Sequence, residues 1–140
     1  MNRAQWQQIA EERLLAAKAL LDAQIWSSAY YLAGYAVECG LKSCVLARIM
    51  SEPEIIFKER KFSDRCWTHD ILQLVNLAGL EQVHDADRNA SPSLDANWLV
   101  VEKWEEQARY QFKKQAEAEG LYTAITHPID GVMQWIRARW

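Results

Sequence analysis

Glycine and proline are scarce in this chain, five and three among 140 residues, so breaks are few and regular elements should run long. Cysteine is sparse as well and odd in number. Cys39, Cys44 and Cys66 show no CxxC spacing, which points away from a disulfide framework and from a cysteine-based zinc site. Reduced thiols in a cytoplasmic protein are the simplest reading. A basic excess is also missing. Sixteen Lys and Arg stand against nineteen Asp and Glu, a net charge of −3, which argues against a generic, electrostatically driven nucleic-acid binder but leaves room for a local basic pocket. No Gly-rich phosphate loop, GxSxG elbow or HExxH occurs, so neither a cofactor nor a metal is expected. The opening stretch MNRAQWQQIAEERLLAAKALL has acids and glutamines where a signal peptide needs an unbroken apolar core, so no export is expected.

What is present is ordinary globular material. Half of the residues are hydrophobic and a quarter are charged, which excludes a disordered chain and fits one domain over residues 1–140. Seven tryptophans are many for this length, and most should be core or interface anchors.

The hydrophobic spacing is helical throughout, with no βαβ alternation, hairpin dipeptide or repeat. Trp6, Ile9, Ala10, Arg13, Leu14, Ala17, Leu20 and Leu21 recur at three- and four-residue steps, giving an amphipathic helix over 2–23. After a break at 24–28, AYYLAGYAVECGLKSCVLA (residues 29–47) is apolar on nearly every face and extends a helix to about Met50. Its length approaches a membrane span. Glu38 and Lys42 near its middle make a buried soluble helix the better reading.

Residues 51–67 read as a locally basic connector with one short helical turn. Thr68 is the expected N-cap of a helix through Leu77, with Asp70 in its first turn and Gly79 as its stop. A short piece, LEQVHDADRNA, precedes the turn signal SPSLD. A helix is then expected from Leu94 to Lys114, another over 116–126 ended by Pro128, and a last amphipathic piece at DGVMQWIRARW. The fold class is therefore all-α, an up-and-down bundle of about five helices.

Several residues carry candidate chemistry. Glu38 and Lys42 lie at i, i+4 on an apolar helix, either as an ion pair tying helices together or as part of a polar ligand pocket. His69 and Asp70 stand where the basic connector becomes a helix. There His69 could be a general acid/base or a phosphate contact, or simply a packing residue. In WEEQARY, Arg109 could clamp a phosphate with Tyr110 donating a hydrogen bond, or could bridge Glu102, Glu105 or Glu106. His84 and His127 lack partners at metal-ligand spacing and read as surface or loop histidines. Cys39 and Cys44 read as packing residues.

Taken together, AYYLAGYAVECGLKSCVLA, THDILQL, WEEQARY and GVMQWIRARW resemble the HEPN domains, in the same order and over most of the chain. The resemblance implies an up-and-down helical bundle, commonly a homodimer. Family members include RNA-cleaving toxins and phage-defence effectors, and others are non-catalytic binding modules. Many act with a minimal nucleotidyltransferase, often as toxin and antitoxin. The ribonuclease members carry Arg, four to six residues, then His. Here those positions are Phe62, Ser63 and Asp64 before His69, Leu77, Ala78 and Gly79 before His84, and Gly120, Leu121 and Tyr122 before His127. Only Arg65 approaches the pattern, too near His69 to match. The expected function is thus a binding or regulatory component with an RNA or nucleotide ligand, its pocket drawn from Glu38, Lys42, His69, Asp70, Arg65, Arg109 and Tyr110. The alternative is a metal-independent endoribonuclease using His69 with Arg109 or Arg65.

Overall fold

The computed structural model describes residues 1–140 and is all-helical, with no strand. Helix α1 (Arg3–Asp22) is opened by a capping box in which the Asn2 side chain accepts from the Gln5 N–H and the Gln5 side chain accepts from the Asn2 N–H. It closes in a Schellman arrangement, with Gln24 left-handed at φ 59° and the Ile25 N–H donating to the Leu20 carbonyl. Ala10, Leu14 and Ala17 form its buried stripe, as the spacing predicts.

Helix α2 (Trp26–Ser51) is the centre of the molecule. Alanine, Gly34 and Gly40 let neighbours approach closely, and α1 runs along much of its length. Two short turns follow, α3 (Ile55–Lys58) and α4 (Phe62–Arg65), where the sequence indicated one. Both bury a single anchor, Ile55 and Phe62. Helix α5 (Ile71–Leu77) also packs on α2. Its cap is Asp70, which accepts from the Gln73 N–H, while the expected cap Thr68 accepts from the Asp70 N–H one step earlier. Gly79 ends it at φ +72°, with the Leu80 N–H donating to the Val75 carbonyl.

The second half differs from the expected long helix. LEQVHDADRNA forms α6 (Glu81–Ala90), and Ser91 caps α7 (Pro92–Val101) with Pro92 in the first turn. The chain then leaves helical geometry at Glu102–Glu105 and resumes as a short 3-10 helix, Glu106–Tyr110. Phe112, within the expected helix, is fully exposed. Helices α8 (Gln115–Thr126) and α9 (Val132–Arg137) complete the chain, and both pack on α2. Nine α-helices thus stand where about five were expected.

The core is one cluster of 32 buried hydrophobic residues. Trp98, Trp104 and Trp135 lie within it, whereas Trp67 is 81% exposed. His84, expected at the surface, is buried between Trp98 and Trp135, edge-on to both rings. Burial is the main reason its imidazole is held below the ordinary histidine range, with the Arg88 guanidinium adding to the effect. No helix is long and apolar enough to cross a membrane.

Candidate functional site

The central charges of α2 meet a residue that sequence spacing could not connect to them. Glu38 is fully buried. Its Oε1 accepts from Lys42 Nζ at 2.8 Å and lies 3.0 Å from His69 Nδ1. Helical geometry places Lys42 one turn beyond Glu38. His69 arrives from the connector, fixed by the Thr68–Asp70 turn just before α5. With Nδ1 facing the carboxylate, that nitrogen carries the proton and donates. The Lys42 ammonium also lies 5.1 Å from the centroid of the Trp6 ring, so an aromatic face covers it from α1.

One atom in this group is unsatisfied. Glu38 Oε2 is buried without a hydrogen-bond partner. Leaving a buried carboxylate oxygen unpaired costs on the order of 1–3 kcal/mol or more. A tie selected only for stability would fill that position.

Aromatic residues surround the group. Tyr31 and Tyr35 stack with centroids 6.0 Å apart, and Tyr31 also stacks on Trp104 at 6.1 Å. Burial, then the adjacent Cys39 and Glu38, push the Tyr35 hydroxyl up to about 12, and burial pushes the Cys39 thiol up to about 11. Neither acts as a nucleophile near neutral pH. Trp104 lies flat against α2 at Gly34, where a Cβ would come within 2.2 Å of the indole. That contact explains the glycine in the helix interior.

Two clefts flank the group. His69 lines one of about 300 Å³, together with Asp70, Glu102, Trp104, Glu105 and Glu106. Lys42 lines the other, of about 350 Å³, where nine of eleven lining residues are apolar, Trp6, Phe62 and Trp67 among them. The Glu38 carboxylate lines neither.

Of the other sequence candidates, only Asp70 shares a cleft with His69. Arg109 pairs with Glu106 at 3.4 Å and stacks 5.1 Å from the Tyr110 ring centroid, and it joins neither Glu38 nor His69 by a hydrogen bond or ion pair. Of the sequence alternatives for Arg109, this is the bridge to a neighbouring glutamate. Tyr110 is 75% exposed. Arg65 bonds Glu59 and Asn76. Asp70 is occupied as the α5 cap. Sequence reasoning missed Trp6, Tyr35, Trp104 and Gly34. Gly34 alone carried a signal, because a glycine within a helix costs about 1 kcal/mol relative to alanine and needs a packing reason. No grouping of His, Cys, Asp and Glu suits a metal ion.

No family model matches the chain, and neither a curated protein nor a solved structure matches it.

Proposed function

We propose that the chain is a HEPN-like helical domain, cytoplasmic and homodimeric, acting as a binding or regulatory component of a nucleotide- or RNA-related system of the toxin–antitoxin or defence type. Its protein partner in this proposal is a minimal nucleotidyltransferase. The observation that carries the proposal is the pair Lys42 and His69, held by one oxygen of the buried Glu38 carboxylate at the edges of two clefts. Such a group is costly as architecture and useful as a pre-organised polar centre. The exposed basic side chains Arg60 and Lys61 on the connector leading to His69 supply the local positive charge that RNA contact needs.

A second reading, the ribonuclease, draws on one specific observation. His69 is half exposed, with Nδ1 held by a carboxylate and Nε2 without a protein partner, the arrangement that orients a general acid/base. The lining of its cleft weighs against it. Asp70, Glu102, Glu105 and Glu106 repel a phosphodiester, and no arginine lines that cleft.

Incubation of end-labelled RNA with the wild type and His69→Ala separates the two. The binding proposal expects an anisotropy increase with intact RNA. Cleavage abolished by His69→Ala would establish the ribonuclease instead, and neither binding nor cleavage would remove RNA from the account.

A further inference from the structure

The apolar cleft on the Lys42 side has walls that the proposal above does not use, and Lys42 is its polar end. Trp6 from α1, Ile49 from α2, Ile56 from α3, Phe62 from α4 and Trp67 from the connector form its walls. Its volume of about 350 Å³ lies in the range of small-molecule sites, which are mostly apolar with a few placed polar groups. Lys42 is the only charged side chain among the lining residues, and the Ser63 hydroxyl is the other polar group.

Lys42 is 15% exposed and makes a single hydrogen bond, to Glu38 Oε1. An ammonium has three donors. Donor capacity therefore remains without a protein acceptor, at the edge of an apolar cleft. No carboxylate lines that cleft to repel an anion, in contrast to the acid-lined cleft beside His69.

We infer that this cleft binds a small amphiphilic anion, an apolar body seated among Trp6, Phe62 and Trp67 with a carboxylate head accepting from Lys42 Nζ and Ser63 Oγ. A nucleotide fits less well. The ribose hydroxyls and base edges would meet nine apolar side chains and find only two polar groups. The site shares Lys42 with the RNA reading but neither His69 nor its cleft, and titration with decanoate reads it without RNA.

The test is calorimetric titration of the full chain with decanoate and decyltrimethylammonium below their micelle concentrations, with decanol below its solubility limit, and with AMP. The expected result is that decanoate binds about tenfold or more tightly than decanol, the difference a charge-assisted hydrogen bond makes, and that the cation binds weakest. Lys42→Met removes this preference. Because that variant exposes Glu38 to loss of its partner, Ile56→Glu provides a second arm on a residue 52% exposed that the fold tolerates. It should weaken decanoate about tenfold and strengthen the cation. Equal binding of all three chains, no binding of any, or binding of AMP with none of decanoate would overturn the inference. So would a dimer that Ile56→Glu dissociates while decanoate fails to bind, since the cleft would then be a contact between copies.

Discussion

Removing the Lys42 side-chain charge while leaving Glu38 in place is the most informative perturbation of the polar centre. In Lys42→Met the fully buried carboxylate keeps only His69 as a partner, with Oε2 already unpaired. Breaking a buried ion pair from one side costs about 3–5 kcal/mol. In urea this lowers the unfolding midpoint by on the order of 1–3 M for a domain of this size. Glu38→Leu should cost less, about 1–3 kcal/mol, because the stranded ammonium lies over Trp6 and can reach solvent from its 15% exposed position. The double variant Glu38→Leu/Lys42→Met removes both charges, so neither is left desolvated. It should match the wild type or exceed it by about 1–4 kcal/mol. Urea denaturation followed by far-UV circular dichroism, with all four proteins in one cycle, gives the coupling. Several kcal/mol are expected. Two single variants costing little and adding within about 0.5 kcal/mol would refute the reasoning, because they would show that the pair is not desolvated.

Gly34→Ala should destabilise by at least the upper end of the ~1–3 kcal/mol typical of overpacking, since its Cβ would lie 2.2 Å from Trp104; a shifted tryptophan emission reports displacement of the ring. His84 gives a pH dependence. Its folded value lies below the ordinary 6.5, so its contribution is complete above about 6.5 and falls as pH drops through the lowered folded value. Thermal melts from pH 7.5 to 5 should show this loss, and His84→Phe should remove that component of the slope. Asp70→Ala removes the acceptor for the Gln73 N–H and should cost about 1 kcal/mol, measured by urea denaturation.

The first two helices were legible because their signals are local. A clean stripe marks α1, and an apolar surface on all sides marks α2. The Glu38–Lys42 pair was legible for the same reason, since i, i+4 spacing needs only one helix. His69 is 31 positions from Glu38, and only the packing of α5 on α2 joins them. The break at Glu102–Glu105 carries no glycine or proline, and Trp98, Val101 and Ala108 keep helical spacing across it. Within that break the Trp104 ring packs against Gly34 of α2, a long-range contact. Arg109 pairs with Glu106 and lies beside Tyr31, with no hydrogen bond or ion pair to Glu38 or His69. His84 was misjudged because the lack of metal-ligand partners says nothing of burial, which comes from Trp98 and Trp135 on other helices.

We propose that Glu38, Lys42 and His69 form a binding centre and not only a tie between helices. Fluorescence anisotropy of labelled RNA with the wild type and with Glu38→Leu/Lys42→Met, whose stability should be at least that of the wild type, tests this directly. The wild type should bind, and the folded double variant should lose about tenfold or more, the scale of one charged hydrogen bond. Equal binding by both proteins would contradict it.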